Sequence, residues 1–489
     1  MKMFNGYERL PRNYSLLSDN YEHKMGQGYL LNGKKDEMAG FDVFFRRVPN
    51  NGGYAIMAGL DKVISFIENL HFGERELKYF KRAGFTDEYI EYMKDFKFTG
   101  TIKAIPDGTP VFPNEPLITV VAPLIEAQIV ETAILCLVNG AMEHATGARR
   151  IIEATPEGVG VMEFGSRRAD GTEAAIDSSL YGMMAGCVGT SNDIAADMVN
   201  KIGLGTMAHS YIESYPDELS AFKDFAKTYP DNCILLVDTF DTLRSGIPNA
   251  IKTYKWMEEN GIPTDKIGIR IDSGDLAYLS KEARNMLVEA GFPQAKICLS
   301  NGLTAETIET LIAQGAEFDS LGVGDNISKP EGRMGCVYKE IALKSADEWV
   351  PKIKLSEDAI KIVNPDLKDL YRAYDKETGY AVADIIVRSG EEIKNGDLIL
   401  VSPTDYLKKK RITDFTLVPL QQTIFENGKL VFDDPDLDTT KAYCDAQMAT
   451  IYPEVKRTNN PQIYHVSGTE EYVNFKNELI EEHKALALR

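Results

Sequence analysis

An irregular β/α (TIM-like) barrel, with a flanking α+β domain built from the N- and C-terminal segments, is the fold this sequence predicts. Three observations carry the expectation. In the middle third of the 489 residues, short apolar runs ending in small or polar residues alternate with helical patterns. From Cys233 onward they recur about every 25 to 35 residues, the length of one βα unit. The runs are almost continuously apolar, as strands of a parallel sheet covered by helices must be, and six such units suit a closed or nearly closed barrel better than an open sheet.

Taken in order, the expected strands lie in "GVGVMEFGSRRADG", "GLGTMAHS", "CILLVDTFDT", "KIGIRIDSGDL", "KICLSNGL" and "FDSLGVGDNI". Between them, "DLAYLSKEARNMLVEAG" spaces its apolar residues three and four apart and stops on glycine, which predicts a helix. "TAETIETLIAQG" opens on a Thr-x-x-Glu-like cap and also closes on glycine. These units place the barrel at residues 131–335. Residues 1–130 mix helices with strand-like pieces such as "FDVFFRRVP" and "PLITVVAP". Residues 336–489 are again strand-rich ("CVYKEIAL", "YAVADIIV", "GDLILVSP") before a charged terminal helix. Both flanks are expected to pack beside the barrel as one composite domain.

Composition narrows the function classes. A net charge of −20 argues against nucleic acid or an anionic membrane as the main partner. No run approaches the roughly eighteen apolar residues of a membrane helix, and the N-terminus has no apolar core of a secretory signal. Six scattered cysteines without CxxC spacing fit reduced thiols in a cytoplasm. A small anionic substrate remains compatible with the charge, because arginines paired at Arg46–Arg47, Arg149–Arg150 and Arg167–Arg168 can outweigh a distant field inside a cleft. Most arginine pairs, however, are solvated surface.

In β/α barrels the chemistry gathers at the C-terminal ends of the strands. Here those ends carry Phe164 with Arg167 and Arg168, His209, Asp238, Arg270 with Asp272, Gly302, and Gly322 with Gly324. The glycine turns "SNGL" and "GVGD" fall on the last two strands, where backbone N–H groups can cradle a sugar phosphate; an ordinary βα turn is the plain alternative. Arg270 and Asp272, two apart, share one face of a strand, and they make either an anion-orienting pair or a structural ion pair. Phe164 offers a ring for stacking or simply fills the core. His209 has no neighbouring His or Cys to complete a metal site, and no GxSxG elbow accompanies it. A packed histidine remains open for it on spacing alone.

Together, "EFGSRRADG", "GTMAHS", "LLVDTFDT", "IGIRIDSGDL", "SNGL", "GVGD" and "KIKLSEDAIKIVNPDLKDLYRAYD" resemble the nicotinate phosphoribosyltransferase family. "SDNYEHKMGQGY" and "FDVFFRRVP" match it too, so the resemblance runs in order from about residue 13 to about residue 400. It implies a type II phosphoribosyltransferase that makes nicotinate mononucleotide and pyrophosphate from nicotinate and phosphoribosyl pyrophosphate, coupled to ATP hydrolysis. It places a phosphohistidine on His209 and stacks Phe164 on the pyridine, with Tyr21 of a partner subunit covering the other face of the ring in a homodimer. Arg270 would bind the nicotinate carboxylate, and Asp272 the ribose or Mg²⁺. Gly302, Gly322 and Gly324 would hold the 5′-phosphate, and Arg167, with Arg46 or Arg47 across the dimer, the pyrophosphate. The related nicotinamide enzyme carries an aspartate where Ser191 stands; serine removes the repulsion of a carboxylate, so Ser191 predicts acid over amide. A further expectation is that Asp238 hydrogen-bonds one imidazole nitrogen of His209 and sets its tautomer.

Other readings are weaker. A type I phosphoribosyltransferase needs adjacent acids and a following phosphate loop, whereas Asp238 and Asp241 are separated and "LRSG" follows. A quinolinate enzyme would need more basic residues for a second carboxylate. An aldolase would need a lysine at a strand end, and a non-catalytic dimeric binding protein would not need the His209, Arg270 and Asp272 set.

Overall fold

The computed structural model describes residues 12–355, 362–393, 396–403, 405 and 407–487; the middle of the "KIKLSEDAIKIVNPD" motif, 356–361, lies outside them. The chain divides into two compact units, one of residues 147–331 and one that joins 1–146 to 332–489. The sequence expectation set the limits near 130 and 335; the division instead falls inside the helix Glu131–Ala154 and just after Glu331.

The unit of residues 147–331 holds a curled, six-stranded, all-parallel sheet. Its spatial order is Gly189–Thr190, Gly160–Glu163, Ser320–Val323, Lys296–Ser300, Ile267–Ile271 and Cys233–Leu236. Five of the six apolar runs form these strands. The sixth, "GLGTMAHS", does not: residues 201–208 belong to no helix or sheet, and the short Gly189–Thr190 takes the sixth place. The physical reason lies in Gly203. A Cβ on Gly203 would fall 2.2 Å from Asp193 Oδ1, so this stretch packs its backbone closely against a neighbour instead of building a ladder. Only Leu204 N–H reaches the edge strand, at Thr190 O (2.7 Å).

The covering helices begin where short polar side chains take up free N–H groups. Asp275 accepts from Tyr278 N (2.9 Å) at the start of Leu276–Glu289, and Asp217 from Ser220 N (2.8 Å) at the start of Glu218–Thr228. At Ala305–Ala313 the reciprocating partner of Thr304 is Thr307, a Thr-x-x-Thr box rather than one closed by glutamate. On the sheet, Gly322 lets the Phe164 ring lie flat: a Cβ there would meet the ring at 2.6 and 2.7 Å.

In the other unit, N- and C-terminal segments share a seven-stranded sheet in which Met38–Phe44 pairs with both Ile118–Pro123 and Val337–Ser345. This is the composite flanking domain the sequence predicted. A six-stranded sheet built on Lys368–Asp375 and Ala381–Arg388 accompanies it. The buried Lys368 Nζ meets Asp42 Oδ2 at 2.6 Å, joining the two sheets, and the fully buried Arg372 clasps Asp384 through Nε (2.8 Å) and Nη2 (2.6 Å). The continuous stretch Leu124–Ala154 contains an 18-residue window with mean hydropathy 1.5, apolar and long enough to span a membrane, contrary to the sequence reading; 67% of that window is buried inside the protein.

Near the N-terminus, the helix Asn20–Leu31 buries Glu22 and His23. Glu22 accepts from Thr132 N (3.2 Å) and from the Thr132 hydroxyl, while the His23 ring sits between Ser18 Oγ (2.8 Å) and Tyr89 OH (2.9 Å). Burial pushes the Glu22 carboxyl up to about 8 and His23 down to about 4.

Two predictions follow from this packing. Gly322→Ala forces the Phe164 ring off the sheet and costs about 1–3 kcal/mol of stability in chemical denaturation. Glu22 binds its proton more tightly folded than unfolded, so its contribution is complete below its ordinary 4.5 and is lost as pH rises through 8. His23 acts in the opposite sense, contributing fully above 6.5 and losing its share as pH falls through 4. Of these two groups only Glu22 still changes its charge above about pH 6.5, and Glu22→Gln removes its share of the decline in urea stability between about pH 4.5 and pH 8.

Candidate active site

The C-terminal strand ends of residues 147–331 are joined by hydrogen bonds between side chains. Asp238, two residues past Leu236, uses Oδ2 to accept from Asp272 N (3.1 Å) and Ser273 Oγ (2.6 Å). Asp272, one residue past Ile271, accepts from Ser300 Oγ at the end of the next strand through Oδ1. Three neighbouring strands thus terminate in one polar chain. Carboxylates at neighbouring strand ends repel each other when both are ionised, and the N–H and O–H donors on Asp238 and Asp272 offset that repulsion.

His209 opens the short helix His209–Glu213 and enters this chain from the unpaired 201–208 segment. Its Nδ1 lies 3.1 Å from Thr239 Oγ1, and its Nε2 lies 3.9 Å from Asp272 Oδ2. The imidazole partner is therefore Thr239 and not Asp238, which corrects the expectation from sequence. Asp238 is one residue too early, and its Oδ2 is taken by the turn after the next strand. Three residues before His209, Thr206 Oγ1 accepts from Arg270 Nη1 at 2.8 Å. Arg270 and Asp272 are thus both engaged by the same segment, and the Arg270 Nε is buried without a hydrogen-bond partner. The Nε–H of this guanidinium is left for an anion.

A second set of groups surrounds Phe164. Its N–H donates to Val323 O (2.7 Å), and its ring rests on Gly322, where Ser300 Cβ would also lie 3.4 Å from an added Cβ. The room beside Gly322 is thus occupied by an aromatic ring, so the phosphate seat expected there is not open. Gly302 is open: its φ is +63, following Asn301 at +85, and an added Cβ would meet nothing within 4 Å. Asn326 Nδ2 holds the same loop through Leu303 O (2.7 Å), and Gly324 N-caps the turn Asp325–Ser328. Ser191 is exposed, its N–H bonded to Glu163 O (2.9 Å).

The arginine pairs divide by role. Arg149 is buried against Glu153 and Ala185 O, and Arg150 reaches Glu306 at 3.5 Å, so that pair serves the fold. Arg168 pairs with Asp325 at 3.2 Å; Arg167 is exposed with no ion pair among the described residues. Tyr21, Arg46 and Arg47 belong to the other unit. There Tyr21 is 45% exposed beside Glu131, with burial and then the neighbouring carboxylates raising its pKa, and Arg46 stacks 5.5 Å from the Phe44 ring.

Among the described residues no group of three His, Cys, Asp or Glu is arranged as a metal cage. Asp238 Oδ1 nonetheless has no hydrogen-bond partner, and Asp272 Oδ2 lies 3.9 Å from His209 Nε2. That donor set fits Mg²⁺, which takes one or two carboxylates and fills its remaining positions with water and substrate oxygens. Sequence reasoning missed Thr206, Thr239, Ser273 and Glu163. A threonine or serine that bridges two strand ends has no signature in the chain; the signal that could have found Glu163 is an acid closing an apolar strand in "VMEFG".

Comparison with known proteins agrees with this architecture. A family model described as the nicotinate phosphoribosyltransferase N-terminal domain matches residues 16–139, and one described as the C-terminal domain of the same enzyme matches 367–476. The nicotinate phosphoribosyltransferase of Bacillus subtilis is 38% identical over 475 residues, 96% of each chain. That of Dictyostelium discoideum is 32% identical over 93% of this chain and 86% of its own. The crystal structure of human nicotinic acid phosphoribosyltransferase superposes with a TM-score of 0.81 at 25% identity, covering 95% of this chain and all of that one. With its parallel barrel sheet, composite flanking domain and clustered strand-end groups, the chain belongs to the nicotinate phosphoribosyltransferase family.

Proposed function

We propose that the chain transfers the phosphoribosyl group of phosphoribosyl pyrophosphate to nicotinate in NAD salvage, and that ATP drives the reaction through phosphorylation of His209. The observation that carries this reading is the placement of His209 between Thr239 and Asp272, with Arg270 held by the same segment. Phe164 stacks on the pyridine and Arg270 pairs with the nicotinate carboxylate, a charge-assisted contact of about 1.5–3 kcal/mol. Ser191 donates to the same carboxylate. The ring nitrogen attacks the anomeric carbon as the bond to pyrophosphate breaks, and Asp272 stabilises the positive charge that develops on the ribose.

The 5′-phosphate sits over the backbone of Gly302 and Gly324, and Arg167 takes the pyrophosphate together with Arg46 or Arg47 of a partner subunit, whose Tyr21 closes the pyridine slot. Thr239 holds one imidazole nitrogen, so the other, facing Asp272, attacks the γ-phosphate of ATP and expels ADP. The phosphoryl group adds up to two negative charges beside Asp272, a repulsion that hydrolysis to phosphate relieves. Asp238 and Asp272 would hold Mg²⁺, which supplies charge neutralisation on phosphate oxygens.

The direct test follows pyrophosphate release with Mg²⁺ and nicotinate, nicotinamide or quinolinate, with and without ATP. Nicotinate alone supports release, ATP enhances it, and His209→Ala removes the enhancement together with acid-labile phosphate on the protein. Release that ATP does not change, or that His209→Ala leaves stimulated, rejects the phosphohistidine. In a second test, Ser191→Asp raises the KM for nicotinate about tenfold or more and narrows its preference over nicotinamide; an unchanged ratio removes Ser191 from substrate choice.

A further inference from the structure

Glu163 touches none of the substrate groups assigned above, yet it is 0% exposed at the end of the strand Gly160–Glu163. A buried carboxylate is costly unless its oxygens are satisfied, and here they are. Oε1 accepts from Gly165 N, and Oε2 accepts from the hydroxyls of Ser179 (2.8 Å) and Thr190. The backbone O of the same residue accepts from Ser191 N at 2.9 Å. Thr190 Oγ1 in turn receives Asn192 N (3.0 Å), and Asn192 Oδ1 receives Ala195 N (3.2 Å) at the start of the helix Asp193–Met198. No side chain fits at Gly165 in this turn: an added Cβ would lie 2.7 Å from Glu163 Oε1 and 2.6 Å from Ser328 Cβ.

One residue therefore holds both sides of the site. Its side chain pins the turn that follows Phe164, and its side chain and carbonyl together pin Thr190 and Ser191. We infer that Glu163 is a positioning residue for base recognition, holding the stacking ring of Phe164 and the hydroxyl of Ser191 at a set distance from each other. The inference rests on the pyridine-slot assignment of Phe164 and Ser191 and deepens it. Choice between a ring acid and its amide then depends on an acid that never meets the substrate. Since the oxygens receive three donors, two of them hydroxyls, loss of one donor loosens one wall of the slot without emptying the core.

Thr190→Val tests this with little change in size, by removing the hydroxyl that ties the Ser191 segment to Glu163; Glu163→Gln tests the carboxylate itself. Both variants are expected to raise the KM for nicotinate about tenfold, to narrow the nicotinate-over-nicotinamide preference, and to leave the KM for phosphoribosyl pyrophosphate within about twofold. A merely structural role would move both substrates alike. If Glu163→Gln does not fold, Thr190→Val carries the test alone. The inference is overturned if soluble variants keep the nicotinate KM and base preference of the parent, or if both KM values shift equally, while Phe164→Ala and Ser191→Ala still weaken nicotinate. If Phe164→Ala and Ser191→Ala leave nicotinate unaffected as well, the slot assignment falls and the inference falls with it.

Discussion

The hydrogen bonds between Asp238, Asp272, Ser273 and Ser300 are the constraint on which the site depends. A parallel sheet delivers its strand ends side by side, so polar residues there are crowded whatever their purpose. Two carboxylates one strand apart would push their loops away from each other if water alone separated them. The Asp272 N–H and the Ser273 hydroxyl on Asp238, with the Ser300 hydroxyl on Asp272 from the strand on its other side, turn that repulsion into a connected chain, which sets where Asp272 points. Both His209 and Arg270 take their positions from what the chain leaves free, the imidazole facing Asp272 and the guanidinium keeping one buried N–H unused.

The unpaired segment 201–208 is the second determinant, because it approaches that chain from the side the sheet leaves open. Held at Leu204 by Thr190 and at Thr206 by Arg270, it presents His209 at the start of a helix. A regular strand would have committed its backbone to two neighbours and alternated its side chains between the faces of the sheet. Freed from that alternation, the segment directs Thr206 and His209, three residues apart, to the same cluster.

Much of this was legible in the chain. The apolar runs ending at Glu163, Leu236, Ile271, Ser300 and Val323 read correctly as parallel strands, because burial on both faces leaves an almost unbroken apolar signature. The clustering of His209, Asp238, Arg270 and Asp272 was legible for a related reason, since each closes such a run or follows one. "GLGTMAHS" misled because its composition matches a strand while Gly203 serves close packing against Asp193. The apolar stretch within Leu124–Ala154 misled in the other direction: alanines, a glycine and polar residues interrupt its run, yet its mean hydropathy is that of a membrane helix, and the interior of the protein covers it.

By itself the sequence determined the fold class, the composite flanking domain and the residue types at the strand ends, because these follow from periodicity, burial pattern and local turn chemistry. Only the tertiary structure decided which of those residues meet. Thr239 rather than Asp238 reaches the imidazole, the Phe164 ring rather than a phosphate occupies the room at Gly322, and Glu163 reaches Thr190, 27 residues on in the chain. Hydrogen bonds of this kind depend on sub-ångström placement between strands whose register is set by the whole sheet. A shift of one residue exchanges one partner for another while leaving every pattern in the sequence unchanged.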